Sequence, residues 1–266
     1  MKPPIAITSR HNPHIKYLTE LKDRKFREQE QCFLVEGFRE VQRALDSGKT
    51  LKSLYFSQST KLELLENLSL IAKTKGIRVM ELSPPVFEKL THREHPDGCM
   101  AVVEMWDLDI ESLSLSAQPL LIVAEGLEKP GNLGALMRTA EGSGVDGLVL
   151  CDSKVDIYNP NVIRASQGAL FSLPMAVLQP EDLNHFLKAK NIQIVATSPE
   201  AQAVYWDANY ILPTAILVGN ENTGLSDFWS RHAKHVCIPM VGKSDSLNVH
   251  SAATLVLYEA LRQRRQ

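Results

Sequence analysis

From Leu120 onward, short apolar runs alternate with stretches of helical periodicity along this 266-residue chain. The pattern predicts strands near 120–124, 147–151, 174–177, 192–196, 214–218 and 235–238, and helices near 132–142, 161–170, 181–189, 225–232 and 247–264. No other feature constrains the fold as strongly. Strands joined by helical crossovers run parallel, in a sheet that helices cover on both faces. The last helix has the clearest signal, with Val249, Ala252, Ala253, Val256, Leu257, Ala260 and Leu261 on one face.

The first hundred residues also mix both periods. Helix-like segments (14–27, 37–47, 60–75, 84–91) alternate with short apolar runs (33–35, 53–56, 77–80, 99–104), the pattern of a small α/β domain. After Trp106 the segment DLDIESLSLSAQP is acidic, rich in serine and ends at Pro119, which suits a linker. The predicted division is therefore 1–106, a linker at 107–118, and 119–266. With 44% hydrophobic residues, the chain can bury a core in each part.

The net charge of -2 conceals a basic N-terminal cluster: Lys2, Arg10, Lys16, Lys22, Arg24, Lys25 and Arg27 against Glu20 and Asp23, with His11 and His14 interleaved. Two readings compete: contacts to nucleic-acid phosphates, and a solvated helix face backed by Ile15, Leu18 and Leu21. Cys32, Cys99, Cys151 and Cys237 are scattered without a CxxC pair, so neither a zinc site nor a disulfide framework is indicated. His92 and His95, in THREHPDG, read as a turn before Pro96 rather than as metal ligands. There is no apolar run of transmembrane length, and residues 1–30 are too polar for a signal peptide; a cytoplasmic location is expected.

Three segments carry the chemistry. In PLLIVAEGLEKPGNLGALMRTA (119–140), Asn132 is the expected N-cap of a helix striped by Leu133, Leu136, Met137 and Ala140. Arg138 lies off that stripe, and Gly134, one turn before it, leaves room for a ligand or another backbone. The glycine spacing of GLEKPGNLG does not fit a dinucleotide fingerprint. In LVGNENTGL (217–225), Gly219 permits close approach after a strand. In IPMVGKSDSLNVHSAATL (238–255), Ser246 and Asn248 stand at a helix N-terminus, where unpaired N–H groups often meet a ligand.

Together the segments resemble the SpoU family of RNA ribose 2'-O-methyltransferases, in the SPOUT superfamily. The first motif matches through Asn132, Gly134, Arg138 and Ala140, the second through Gly219, Glu221 and Gly224, and the third through Ser246, Leu247, Asn248 and Ala252. ITSRHNPHIKYLTELKDRKFR (7–27) and FLVEG (33–37) resemble the family's substrate-binding domain. His250 departs from the pattern, standing where the family usually has a small residue.

The resemblance implies an α/β fold: a SPOUT-type parallel sheet with a C-terminal trefoil knot, preceded by a small α/β RNA-binding domain. It implies S-adenosylmethionine as cofactor, held mainly by main-chain groups at Gly219, Ile238 and Leu247, with Thr197 as a further candidate. Asn132, Arg138, Glu221, Ser246 and Asn248 are the expected catalytic set, although a purely structural role for Glu221 stands beside the catalytic one. Arg10, Lys16, Lys22, Arg24, Lys25 and Arg27 are the expected RNA contacts. Arg164, in IRASQGAL, has two readings, contact with RNA or pairing with an acid. The expected substrate is RNA, 23S ribosomal RNA foremost, with transfer RNA and a non-catalytic RNA-binding scaffold as alternatives. The expected assembly is a homodimer, with no metal and no membrane.

Overall fold

The computed structural model describes residues 5–60, 68 and 70–265. Contacts divide the chain into two compact units: Met1–Trp106 with Ile157–Ser172, and Asp107–Asp156 with Leu173–Gln266.

In the first unit, β1 (Ile5–Ile7), α1 (Pro13–Glu20), α2 (Arg24–Glu30), β2 (Cys32–Glu36), α3 (Phe38–Asp46), β3 (Leu51–Ser57), β4 (Arg78–Leu82), α4 (Pro84–Leu90) and β5 (Cys99–Glu104) follow in order. They form a mixed sheet in the order β1-β4-β3-β5-β2, with β4 parallel to β1 and β3, and β5 antiparallel to β3 and β2. The single helix expected at 14–27 is two helices. Asn12 caps α1 through the His14 amide, and Asp23 restarts the chain as α2 by accepting from the Phe26 amide at 3.1 Å. Ile15, Leu18 and Leu21 are buried in one core with Tyr55, Leu82 and Phe87. The helix expected at 60–75 falls partly outside the described residues; 70–74 are helical.

Residues 157–172 belong to this unit by their contacts, whereas the sequence pattern assigns them to the second. They form α6 (Pro160–Ser166) and α7 (Ala169–Ser172), with α5 (Pro130–Ser143) the helix before them in the chain. One helix was expected at 161–170. Left-handed backbone at Gln167 (φ 51°) and Gly168 (φ 92°) breaks it. Phe171 stacks on Phe33, Tyr158 meets Trp106 edge-on, and that aromatic cluster explains the attachment.

The second unit contains β6 (Leu120–Glu125), β7 (Gly147–Cys151), β8 (Met175–Leu178), β9 (Gln193–Thr197), β10 (Thr214–Val218) and β11 (Lys234–Val236). All neighbours pair in parallel, in the order β11-β9-β10-β6-β7-β8, with Leu217 opposite Val123 at the centre. Each strand lies within two residues of its predicted position. The remaining helices are α8 (Pro180–Ala189), α9 (Asp227–Ser230) and α10 (Val249–Arg264). α9 is a single turn, shorter than the 225–232 expected. Helices α5 and α10 pack together, and the hydroxyls of Thr139 and Thr254 meet between them at 3.1 Å. Leu121, Val123, Leu217 and Trp229 are fully buried in the core of this sheet.

Candidate active site

The parallel sheet ends in a cavity of about 540 Å³. Ligands of open α/β sheets bind beyond the carboxyl ends of the strands. This cavity occupies that position: Thr197 ends β9, Val218 ends β10 and Gly219 follows it, Ile238 follows β11, and Ser246 and Leu247 precede α10. The structure thus brings Thr197, Gly219, Ile238, Leu247, Glu221 and Ser246 to one cavity. The Thr197 hydroxyl donates to the Leu217 carbonyl at 3.3 Å. Apolar Val218, Ile238 and Leu247 share the walls with Glu200, Glu221 and Asp245. A volume within the roughly 300–1,000 Å³ of small-molecule sites, part apolar and part anionic, suits a cofactor with an apolar body and positive charges. S-adenosylmethionine, with its sulfonium and ammonium groups, meets that description.

Gly219 is essential to this geometry for a reason other than the expected room for a ligand. A Cβ there would lie 2.5 Å from the Gly224 carbonyl carbon and oxygen and 2.7 Å from the Leu225 nitrogen. The chain doubles back across Gly219, and the Asn220 and Gly224 backbones exchange two hydrogen bonds of 2.9 Å. Asn220 organises the turn: its Oδ1 accepts from the Asn222 and Thr223 amides, and its Nδ2 donates to the Gly126 carbonyl at 2.7 Å. Gly224, at φ 70°, closes it.

Sequence reasoning missed Glu125. This residue ends β6 and is buried, and its carboxylate accepts from the Ser226 amide (2.8 Å), the Ser226 hydroxyl (2.8 Å) and the Trp229 indole N–H (2.9 Å). It therefore fixes the far end of the 219–226 loop. The only sequence signal was an acid at the end of an otherwise apolar strand.

The remaining expected catalytic residues come from α5 and α10. Helix α5 begins at Pro130, so Asn132 is in its first turn and not at the N-cap, which is Lys129; proline in the first turn sets that start. The Asn248 Nδ2 donates to the Asn132 Oδ1 at 3.2 Å, joining the first and third motifs. Asn248 is also the N-cap of α10, and its Oδ1 accepts from both the backbone N–H and the ring Nδ1–H of His250. The atypical histidine is thereby engaged by the capping asparagine. The Glu221 Oε2 pairs with the Lys129 Nζ at 2.8 Å, and that hydrogen bond, then the charge itself, raises the lysine pKa. The Glu221 Oε1 and Asn132 Nδ2 are buried without a hydrogen-bond partner among the described residues. Arg138 is exposed, with no partner among them.

Of the basic cluster, Arg10, Lys16, Arg24 and Lys25 are exposed. Arg10 donates to the Pro85 carbonyl, Lys16 pairs with Glu20, and Arg24 pairs with Glu28. Lys22 is half-buried and donates to the Lys89 carbonyl at 3.2 Å. Arg27 departs from the expected surface patch. It is 2% exposed, and its guanidinium donates to the Leu21 and Lys22 carbonyls at 2.8 and 2.7 Å, so it ties α2 to the turn before it. Lys2 lies outside the described residues. Among the described residues, no group of three or more His, Cys, Asp or Glu is placed to hold a metal, and no helix is long and apolar enough to cross a membrane.

Comparison with known proteins agrees with this arrangement. The signature of the SpoU rRNA Methylase family matches residues 119–258, and that of an MRM3-like substrate binding domain matches residues 12–101. The chain is 32% identical to the 23S rRNA (uridine(2479)-2'-O)-methyltransferase of Streptomyces viridochromogenes, over 97% of this chain and 92% of that one. A crystal structure of an RNA 2'-O ribose methyltransferase is 40% identical, with a TM-score of 0.86 over 98% of this chain and all of the other. The SpoU methyltransferase AviRb from Streptomyces viridochromogenes, in complex with AdoMet, is 30% identical, with a TM-score of 0.87 over 96% of this chain and 99% of that one. The chain belongs to the SpoU family of RNA 2'-O-methyltransferases, on a SPOUT-type parallel sheet preceded by a substrate-binding domain.

Proposed function

We propose that this protein methylates a ribose 2'-hydroxyl in 23S ribosomal RNA as a homodimer, with S-adenosylmethionine in the cavity beyond β9, β10 and β11. The observation that carries this reading is the convergence of three motifs distant in sequence: Glu221 and Ser246 line the cavity, while Asn248 bonds to Asn132. The named activity of the Streptomyces relative supports a 23S substrate. Leu255 and Tyr258, exposed on α10, offer apolar surface that a two-fold interface would cover. The trefoil threading implied by the family belongs to the same reading.

Bound S-adenosylmethionine supplies an activated methyl group. The protein's main task is then to align the ribose oxygen with it, and positioning alone lowers such barriers by about 7–11 kcal/mol in favourable systems. Asn132, Ser246 and Asn248 orient the ribose and its neighbours by hydrogen bonds. Glu221, tied to Lys129, holds the cavity loop against the start of α5. Arginine, with a pKa above about 12, is a poor base. In this reading Arg138 acts electrostatically, holding the adjacent phosphate through its planar fork and stabilising negative charge on the oxygen as the proton leaves to water or phosphate.

The test is methyl transfer from labelled S-adenosylmethionine to 23S and transfer RNA transcripts, with the modified ribose mapped. Arg138→Ala is expected to abolish transfer and to spare cofactor affinity, and Arg138→Lys to recover little. A lysine variant whose rate climbs steeply above about pH 9 would show an amine acting as base, against the electrostatic role. Methylation of transfer RNA alone overturns the ribosomal assignment, and light scattering that gives a monomer overturns the dimer.

A further inference from the structure

A second cluster of charges lies in the first unit. A notch of about 20 Å³ is lined by Lys22, Glu36, His92, Arg93 and Arg164, which come from the α1–α2 turn, the end of β2, the loop before β5, and α6. Two of these side chains, Glu36 and Arg93, are bonded internally. The Glu36 carboxylate accepts from the Thr91 hydroxyl and from the His92 amide. Arg93 pairs with the buried Glu40 at 3.0 Å and with Asp97 at 3.6 Å, and donates to the Glu36 carbonyl at 3.0 Å. These bonds make the 91–97 loop a fixed platform. Each carboxylate oxygen of Glu36 accepts one hydrogen bond from this loop, and its negative charge also faces Lys22 and His92.

On the notch, Lys22 and Arg164 form no ion pair within 4 Å among the described residues, and the His92 ring stands beside them. Lys22 donates only to the Lys89 carbonyl, and Arg164 donates to the Asn161 side chain at 3.3 Å, with most of its guanidinium N–H groups left over. The His92 ring has no partner among the described residues. Burial lowers its pKa, Lys22 and Arg164 push the same way, and the Glu36 carboxylate opposes them. With Arg93 paired to Glu40 and Asp97, one carboxylate faces the fixed charges of Lys22 and Arg164, so the notch stays net positive and favours an anion at its mouth. The notch itself has room for about one water-sized group, so it admits a single oxygen of a larger anion seated at its mouth.

We propose that Lys22, His92 and Arg164 form a phosphodiester-binding notch for the substrate RNA strand, with Arg164 as its principal anchor. The inference rests on the RNA reading given above. Arginine grips phosphate oxygens in pairs, and Lys22 adds a point charge. The notch also joins a residue of the N-terminal sequence to one that follows it by more than a hundred positions, within one compact unit.

The experiment uses the full chain and a 23S transcript, with affinity measured between about 50 and 200 mM salt, a range over which phosphate contacts reveal themselves. Arg164→Ala and His92→Ala should each weaken binding several-fold. Arg164→Ala should also flatten the salt dependence by about 0.7–0.9, the slope of one lost phosphate contact. Arg164→Lys should restore most of the slope. Cofactor affinity and melting temperature should be unchanged in all three, which separates the effect from misfolding. Wild-type affinity and slope in both alanine variants would overturn the notch alone. A wild-type protein with no measurable affinity for RNA would overturn the RNA reading and the notch with it.

Discussion

Glu125 and Trp229 are 104 positions apart, yet the indole N–H of Trp229 donates to the Glu125 carboxylate at 2.9 Å inside the core of the parallel sheet. The same carboxylate holds Ser226 through both amide and hydroxyl. Three donors thus converge on one acid at the end of β6, and the loop from Gly219 to Ser226 is pinned at the end opposite to the β10 strand.

Replacing this acid should therefore damage both stability and the cavity. Glu125→Ala leaves the indole N–H and the Ser226 groups without their acceptor, at about 1–3 kcal/mol for each buried group, for a net loss of about 2–4 kcal/mol after relaxation. Glu125→Gln keeps one acceptor oxygen but turns an amide N–H toward a donor, so it should cost less but still measurably. Denaturant melts together with calorimetry of S-adenosylmethionine binding check this. A variant with full stability and full cofactor affinity would remove Glu125 from the loop's support.

Gly219 and Gly224 make a matched pair for a second test. A Cβ at Gly219 meets backbone at 2.5 Å, whereas at Gly224 nothing lies within 4 Å. Overpacking against backbone costs about 1–3 kcal/mol and requires the turn to move. Alanine at Gly224 has only the left-handed conformation to tolerate, about 1–2 kcal/mol. Gly219→Ala is thus expected to lower cofactor affinity at least tenfold, and Gly224→Ala to lower it far less. The reverse ranking would mean that the turn around Gly219 is not what shapes the cavity.

The contrast between these glycines shows what the sequence made legible. Five strands of the parallel sheet are readable because each holds an apolar run between turn residues, as burial within the sheet demands, whereas the edge strand β11 is only KHV with Val236 buried. β1, three residues at an edge with Ile5 half exposed, has too little pattern to read. Partnership was harder than periodicity. An arginine that caps carbonyls from within, as Arg27 does, has the same sequence appearance as one that faces solvent. The acceptor role of Glu125 depends on residues that only the finished sheet brings near. Gly219 was noticed for the right atom, the missing Cβ, but the space is filled by the chain's own backbone. The α5 start at Pro130 is legible in KPGN, because proline favours the first helical position.

At the other end of the sheet, Arg264 closes the second unit. Its guanidinium donates to the carbonyls of Tyr210 (2.7 Å), Gln118 (2.6 Å), Pro119 (3.1 Å) and Leu212 (2.8 Å), joining the end of α10 to the segments that enter β6 and β10. Arg264→Ala should cost about 2–3 kcal/mol, less than four charged hydrogen bonds taken singly, because the freed carbonyls partly reach water. Arg264→Lys should recover little, since one ammonium cannot span four acceptors. Cofactor affinity should hold in both, because the cavity lies at the opposite ends of these strands. Unchanged melting of Arg264→Ala would show that the clamp contributes nothing.

The last prediction concerns pH. His14 hydrogen-bonds to the Tyr55 hydroxyl at 2.8 Å, and burial, then the positive charge of Arg78, holds its pKa below the ordinary value of about 6.5. A depressed folded-state pKa means that the unfolded chain takes up the proton first, so this contribution to stability is complete above about pH 6.5 and is lost as pH falls through the folded pKa. Stability should accordingly decline from neutrality toward pH 5. His14→Gln, which keeps a polar partner for Tyr55 without a titrating ring, should decline less steeply. His92 is depressed as well, but it is present in both proteins, so the difference between their stability curves isolates His14. Urea melts at half-unit pH steps measure that difference. Parallel curves from pH 7 to 5 would mean that His14 takes up its proton as readily in the folded protein as in the unfolded chain.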